Sequence, residues 1–243
     1  MEETFYDAAL NGRVEEVKDI LKNPSLNVNW KNEGDFARTA IVAACVFGHH
    51  SVVSILLAHP DIDPNLKNSI GWTPFLAACY NGNTSCVRLL QDQRVMVYEP
   101  RNDGRTPLRV AAYWGRHDVI KLWISSGREM NLGTPGDSRT DAIGTAKREK
   151  ETEVVSLLER FQTDATRTRN EIRLELGING QCSSSYSYYY CYSLSSFFKF
   201  PRHYFNSQIL FFSLSLSLLF SLNDRFPCDH PSKAHQGAVP GLH

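Results

Sequence analysis

Cysteine and histidine are the side chains of this sequence best suited to binding a metal ion or forming a covalent bond. The six cysteines stand at positions 45, 79, 86, 182, 191 and 228. None belongs to a Cys-x-x-Cys pair, the spacing typical of zinc ribbons and redox dithiols. Cys228, Asp229, His230 and His235 are metal-ligand types that follow no fixed ligand spacing. We therefore predict free thiols, no metal site and no cofactor.

Motifs of the common enzyme classes are missing as well. The sequence contains no Gly-x-Ser-x-Gly elbow for a nucleophilic serine. It also contains no Gly-x-x-x-x-Gly-Lys loop and no Gly-x-Gly-x-x-Gly fingerprint for binding phosphates. Basic and acidic residues number 26 each, so no net charge attracts nucleic acid or an anionic membrane. We predict a protein that is not an enzyme and does not bind nucleic acid.

The glycines instead mark an internal repeat. Two small residues, two variable residues and a glycine recur at residues 8–12, 44–48, 78–82 and 111–115, with glycine spacings of 36, 34 and 33 residues. Cys45 and Cys79 occupy equivalent positions that alanine fills in the other two segments, which indicates a small buried side chain. A fixed period of this length predicts a solenoid whose units pack against their neighbours.

Each unit has the pattern of a helix, a tight turn and a second helix. Thr39, Thr73 and Thr106 stand where the first helix begins, and Pro74 and Pro107 follow two of them. Threonine caps a helix and proline fits its first turn. Amphipathic runs after the glycines predict the second helices, at residues 14–21, 51–57, 86–90 and 118–124. Polar turn segments at 27–32, 63–68 and 102–105 predict projecting hairpin loops.

Two further segments fit the end of such a stack. Residues 142–158 keep the apolar positions of a unit but carry Lys150 where the glycine would stand, which is typical of a polar capping unit. Residues 167–176 have apolar side chains among charges and predict one closing helix, at about 165–177. A terminal face needs such a cover because each unit buries its apolar surface only against its neighbours.

On these motifs, residues 3–161 resemble an ankyrin-repeat array, whose signature is Thr-Pro-Leu-His-x-Ala. Residues 73–78 and 106–111 carry most of that signature. The resemblance implies an all-α solenoid of helix-turn-helix units with projecting hairpin loops. Val42, Leu76 and Arg109 replace the signature histidine, so we expect the same fold with lower stability. We assign residues 1–178 to this domain, with repeats near 3–34, 35–68, 69–101, 102–136 and 137–161.

Residues 179–243 have a different, low-complexity composition rich in Ser, Tyr, Phe and Leu. The run of residues 210–222 uses only residues that all-pyrimidine codons encode and contains a Ser-Leu alternation, which favours a disordered tail or translated non-coding sequence. Residues 204–222 are also nearly long and apolar enough to span a membrane. The same alternation has the period of a β-strand, so an ordered addition is a third interpretation.

The resemblance implies that a partner protein binds the concave face, meaning the hairpin tips and the first helix of each unit. Aromatic side chains and arginines dominate binding hot spots. The corresponding residues are Phe36, Arg38, Phe47, Trp72, Tyr80, Asn81, Arg105, Tyr113 and Trp114. We expect Trp72, Tyr80, Tyr113 and Trp114 to be the main anchors.

The sequence therefore predicts a monomeric interaction module or scaffold whose partner is a protein of unknown identity. Its first residues lack the basic and apolar regions of a secretory signal, so we expect it in the cytosol or nucleus. Two alternatives are a module tethered to a membrane by residues 204–222 and a fragment of a larger ankyrin-containing enzyme or signalling protein.

Overall fold

A computed structural model describes residues 1–178 of the chain. This part is almost wholly helical, as predicted, with eleven α-helices and one short antiparallel strand pair. The helices are α1 (Glu2–Leu10), α2 (Val14–Ile20), α3 (Ala40–Phe47), α4 (His50–Ala58), α5 (Pro74–Asn81), α6 (Thr84–Leu89), α7 (Pro107–Tyr113), α8 (His117–Ser126), α9 (Ala142–Glu149), α10 (Thr152–Thr163) and α11 (Ala165–Glu175). The strands are β1 (Lys31–Asn32) and β2 (Arg38–Thr39), with Lys31 opposite Thr39. The tail, its candidate membrane segment and the Cys228–His235 group lie outside the described residues.

The helices of residues 1–178 form two parallel rows, which confirms the solenoid. The first helices of the units pack in succession, α1 on α3, α3 on α5, α5 on α7 and α7 on α9. The second helices α2, α4, α6, α8 and α10 form the other row. A continuous apolar core lies between the rows. Its largest side chains include Phe75 and Trp123, whose rings meet edge to face with centroids 4.9 Å apart.

The predicted caps form at two of the three threonines. The Thr73 hydroxyl accepts a hydrogen bond from the Leu76 amide at 3.2 Å, and the Thr106 hydroxyl accepts one from the Arg109 amide at 3.3 Å. Thr39 has the same extended backbone but makes no capping bond, and its hydroxyl is buried without a partner. The first helix of the second unit therefore begins without the side-chain support that α5 and α7 have.

The first helix of most units ends in a left-handed residue. Gly48, after α3, has φ 78° and Gly82, after α5, has φ 76°. Lys150 takes the same conformation after α9, with φ 65°, so the fifth unit keeps the turn without the glycine. This conformation costs an L-residue roughly 1–2 kcal/mol, which glycine avoids because it has no Cβ.

The loops between units are hairpin turns of unequal regularity. Only the loop of the second unit carries a strand pair in the described part of the chain. In each of the next two loops one backbone hydrogen bond of 3.0 Å joins the two ends of the loop. The Asn68 amide donates to the Trp72 carbonyl, and the Arg101 amide donates to the Arg105 carbonyl.

Helix α11 covers the end of the stack. It packs on α8 and α10 and buries Ile172, which is 1% exposed. Arg169 and Arg173 donate hydrogen bonds of 3.2 and 2.8 Å to the carbonyls of Ile124 and Ser125 at the end of α8. Within residues 1–178, no helix combines the length and hydropathy needed to cross a membrane.

The cysteines of the described residues are free and buried. Cys45 and Cys79 are 0% exposed, as their shared position predicted, and so is Cys86. Burial raises the pKa of the Cys79 thiol well above its usual range. Low thiolate content and lack of access make this thiol unreactive. The other three cysteines lie outside the described residues.

Candidate functional site

The nine predicted contact residues occupy repeated positions in the units. Arg38, Trp72 and Arg105 each precede the threonine at the start of a first helix. Phe47, Asn81 and Trp114 each precede the glycine at its end, and Tyr80 and Tyr113 stand one residue earlier. Phe36 lies in the turn between β1 and β2. The repeat therefore places these side chains in columns that run along the stack.

Four of the predicted aromatic side chains form one continuous group, which we call the ring cluster: Trp72, Tyr80, Tyr113 and Trp114. Ring centroids lie 4.7 Å apart for Trp72 and Tyr80, and 5.2 Å apart for Tyr80 and Trp114. Tyr113 and Trp114 meet edge to face at 5.1 Å. These are favourable aromatic distances, worth roughly 0.5–1.5 kcal/mol per pair beyond burial. The cluster links the third unit to the fourth.

The rings of the cluster differ in exposure. Trp72 is only 9% exposed, because Tyr80 and the guanidinium of Arg101, 5.9 Å from its ring centre, lie over it. It therefore supports its neighbours and offers a partner little surface of its own. Trp114 is 44% exposed, and Tyr80 and Tyr113 are half-buried. Trp114 is thus the ring of this cluster most available to a partner.

Two arginines that the sequence did not single out as contacts border the ring cluster. Arg101 lies over Trp72, and the Arg109 guanidinium lies 5.2 Å from the centre of the Tyr113 ring. Arg109 had been noted only as a substitute for the signature histidine. The predicted contact Arg105 is exposed and pairs with Asp103 at 3.5 Å. Arg101 and Trp72 lie in the loops of successive units, so spacing along the chain gave no signal for that contact. Arg109 and Tyr113 stand four residues apart on α7, a spacing at which helix side chains meet, so the sequence did hold a signal for that pair.

Phe36 is held at the tip of the β1–β2 hairpin. Its side chain is 56% exposed, and the Arg38 guanidinium lies 5.3 Å from the ring centre. Arg38 also pairs with Asp35 through bonds of 2.9 and 3.0 Å. Ser69 of the next unit donates from its amide and its hydroxyl to the Phe36 carbonyl, both at 2.9 Å. An exposed ring is thus carried on a fixed backbone.

The hairpin tip also holds unusual backbone. Phe36 has φ 52° and Ala37 has φ 53°, and neither is glycine. Such residues cost roughly 1–3 kcal/mol each and cluster at functional sites. The bonds from Ser69 hold the strained turn in place.

The last two predicted contacts differ from each other. Phe47 is 55% exposed and its ring stacks on His49 with centroids 6.3 Å apart. Asn81 donates from Nδ2 to the Ala77 carbonyl of its own helix at 3.0 Å, so its amide is partly engaged. Phe47 therefore presents a free apolar surface, whereas Asn81 presents a limited polar one.

A groove of about 810 Å³ lies beside α10 and α11, away from the predicted contacts. Five of its seven charged side chains pair with one another. Lys147 contacts Glu159 at 2.7 Å, and Glu171 accepts from Arg160 at 2.6 Å and Arg167 at 2.9 Å. This groove offers few unpaired groups to a ligand. No group of three or more His, Cys, Asp or Glu side chains in residues 1–178 could hold a metal ion.

Sequence models of the ankyrin repeat match the central units. The model described as "Ankyrin repeats (3 copies)" matches residues 60–134, and the model described as "Ankyrin repeat" matches residues 38–69. The matched segment contains α3 to α8 and therefore the whole ring cluster. The resemblance inferred from the glycine period is thereby confirmed.

Curated proteins similar to this chain come from several different organisms. The SMC5-SMC6 complex localization factor protein 1 of Bos taurus is 30% identical over 164 residues, which cover 63% of this chain and 16% of that protein. The putative ankyrin repeat protein YahD of Escherichia coli (strain K12) is 33% identical over 129 residues, 51% of this chain and 62% of YahD. The 26S proteasome non-ATPase regulatory subunit 10 of Dictyostelium discoideum is 34% identical over 79 residues, 32% of this chain and 33% of that protein. The chain spans less than two thirds of each.

Proposed function

We propose that this chain, which belongs to the ankyrin-repeat family, holds a partner protein on its concave face with Trp114 as the central contact. Ankyrin repeats are protein-interaction modules, since their stacked units form an extended binding surface. The observation that carries the proposal is the ring cluster. It presents Trp114, 44% exposed, on a base of half-buried and buried rings.

The packing of the ring cluster supports this role for physical reasons. A tryptophan is an effective hot spot because it buries a large apolar area when a partner covers it. Contacts with Tyr80 and Tyr113 restrict the Trp114 ring before any partner arrives. Less side-chain entropy is then lost on binding, which favours affinity. Phe36 and Phe47, both more than half exposed, extend the apolar surface along the stack.

The proposed mechanism is binding without chemistry. The matched repeats belong to a family of interaction modules, and the side chains proposed to meet the partner are aromatic residues and arginines. A location in the cytosol or nucleus and a monomeric state stay predictions from the sequence.

A second candidate function is that of a recruiting segment within a longer protein. The observation that favours it is that the matched region makes up 16% of the Bos taurus relative. Mass spectrometry of the native protein, both intact and as peptides, tests this candidate. Peptides from a further domain on either side of residues 1–243 would support it, and an intact mass equal to that of the 243-residue chain would contradict it.

The experiment that tests the main proposal compares four versions of the full chain: wild type, Trp114→Ala, Tyr80→Ala and Tyr98→Ala. Tyr98 is a matched control, since it is an aromatic residue with 54% exposure outside the ring cluster. Each version is tagged, expressed in cells of the source organism and captured, and the bound proteins are quantified by mass spectrometry. Circular dichroism checks that helix content is equal.

We expect one or more bound proteins to fall by about tenfold with Trp114→Ala and Tyr80→Ala and to stay unchanged with Tyr98→Ala, as loss of a hot spot costs 1.4 kcal/mol or more. Candidates are then titrated against the purified chain by calorimetry. Equal capture by all four versions would overturn the proposal. Loss of helix in the Tyr80 variant would assign that ring to the core.

A further inference from the structure

The Arg109 side chain is buried beside the ring cluster without a polar partner. The residue is 7% exposed, and its Nε atom is shielded from solvent with no hydrogen-bond acceptor. Among residues 1–178, no carboxylate lies within ion-pair distance of its guanidinium. Its guanidinium lies over the Tyr113 ring instead, 5.2 Å from the ring centre. Buried charges are normally paired, because desolvation of an unpaired charge is costly.

Two like charges lie near this guanidinium. Burial lowers the pKa of Arg109 and repulsion from Arg105 and Arg148 lowers it further, while Tyr113 and Asp103 act weakly in the opposite direction. Both neighbours already have carboxylates, since Arg105 pairs with Asp103 at 3.5 Å and Arg148 pairs with Glu149 at 3.2 Å. Arg109 is therefore the member of this group of three arginines that lacks a carboxylate partner.

The fold itself does not require arginine at this position. The equivalent residues of the two preceding units are Val42 and Leu76, and both are completely buried. The Thr106 cap uses the backbone amide of Arg109 and not its side chain. An aliphatic residue would thus pack here without leaving a charge in the core. The unpaired guanidinium therefore lowers the stability of the folded chain, and a ligand that pairs with it would remove this destabilisation.

From these observations we infer that the concave face binds an acidic segment of a protein, with one Asp or Glu carboxylate of that segment paired to Arg109. The inference rests on the proposed function, since it names the chemistry of the partner at the same surface. A guanidinium matches a carboxylate with two parallel N–H···O bonds, and such charge-assisted bonds are strong where water is excluded. An apolar residue next to the acid would then cover Trp114.

The test uses a phage-displayed library of random dodecapeptides selected on the full chain. We expect the enriched peptides to share Asp or Glu at one fixed position, together with an apolar residue nearby. Binding of the best peptide, measured by fluorescence anisotropy, is expected to weaken at least tenfold with Arg109→Met and by less with Arg109→Lys. Arg13→Met is the control, because it removes one positive charge from the first unit at an exposed ion pair.

Stability measurements separate this role from a structural one. Because Arg109→Met removes an unpaired buried charge, its melting temperature is expected to equal or exceed that of the wild type. A lower melting temperature with unchanged affinity would assign Arg109 to the structure and overturn the inference. Should the Met variant not fold, the Arg109→Lys affinity decides, and an unchanged value overturns the inference.

The outcomes also distinguish this inference from the proposed function. Peptides that depend on Trp114 but show no acidic preference would overturn the acidic partner and leave the concave-face proposal intact. Peptides that bind independently of Trp114, or no enriched peptides, would count against both. Inorganic phosphate that displaces the acidic peptide far more strongly than acetate at the same ionic strength would replace the carboxylate with a phosphorylated segment.

Discussion

Asn83 donates a hydrogen bond of 2.7 Å from Nδ2 to the backbone carbonyl of Cys45, which lies 38 residues earlier in the chain. The same amide reaches the Val46 carbonyl at 3.0 Å. Both acceptors are at the end of α3, where carbonyls have no partner within their own helix. Asn83 thus fastens the third unit to the second.

In other units, too, the residue directly after the turn glycine makes this link between units. His49 bonds through Nε2 to the Leu10 carbonyl at 3.0 Å, and Arg116 donates from Nε to the Tyr80 carbonyl at 3.0 Å. Each residue follows the turn glycine of its own unit and reaches the first helix of the unit before. Different side chains can serve, provided that each donates to a carbonyl.

Asn83→Ala is expected to destabilise the chain by about 1–2 kcal/mol, because two half-buried carbonyls lose their donor. Urea denaturation followed by circular dichroism measures this loss. Asn81→Ala is the matched control, since the Asn81 amide bonds only within its own helix and is expected to cost less. Equal effects of the two substitutions would show that the bond between units contributes nothing specific.

Gly48→Ala tests the close contact between Gly48 and the Asn83 side chain. Gly48 has φ 78°, and a Cβ atom there would lie 3.0 Å from Oδ1 of Asn83. The substitution is expected to cost about 1–2 kcal/mol for the left-handed backbone, and more for the crowding. Gly136→Ala is the control, because Gly136 has φ 84° and open space around it. Chemical denaturation should show a larger loss for Gly48→Ala. An equal loss would mean that Asn83 moves aside freely.

Much of the fold could be predicted from the sequence because a glycine at a nearly fixed period marks the turn of each of the first four units. Small residues that recur in each unit, Cys45 and Cys79 among them, indicated the first helices. The structure buries these two cysteines completely. Lys150 was recognised as the substitute for a glycine, and it has the left-handed backbone of one. These properties depend on local backbone geometry, which neighbouring residues encode.

The site could be predicted only in part, since its chemistry depends on contacts between units. The sequence placed Trp72 on the concave face, but it could not show that Tyr80 and Arg101 cover the ring. The sequence also could not show that Arg109 lacks a carboxylate partner, because this depends on which side chains the fold places around it. The same holds for Asn83, whose acceptors become neighbours only once two units stack in register.

Tyr6 makes the stability of the first unit depend on pH. Its hydroxyl donates to the Asp35 carboxylate, which also accepts two bonds from Arg38. Burial, followed by the bond to Asp35, raises the pKa of Tyr6 well above its usual range. The folded state therefore keeps the proton at a pH where the unfolded chain releases it. Stability from this group is complete below about pH 10, the usual pKa of tyrosine, and is lost as the pH rises further.

Tyr6→Phe is expected to cost about 1–2 kcal/mol at pH 8, because the hydrogen bond to a charged acceptor is lost. The difference between wild type and variant should shrink as the pH rises above about 10, because only the wild type carries the titrating hydroxyl. Urea denaturation at pH 8, 10 and 11 measures it. A difference that stays constant across this range would contradict the assigned pKa direction.

Lys150→Gly is expected to stabilise the fifth unit. Lys150 is exposed and ends α9 with φ 65°, a conformation that costs an L-residue roughly 1–2 kcal/mol. Glycine avoids this strain but loses roughly 0.5–1 kcal/mol of extra backbone entropy on folding. The net gain is therefore expected to be about 0.5–1 kcal/mol, measured by chemical denaturation. Lys150→Ala removes the same charge while keeping the strained backbone, so it should leave stability nearly unchanged. A gain with alanine as large as that with glycine would assign the effect to charge and not to backbone conformation.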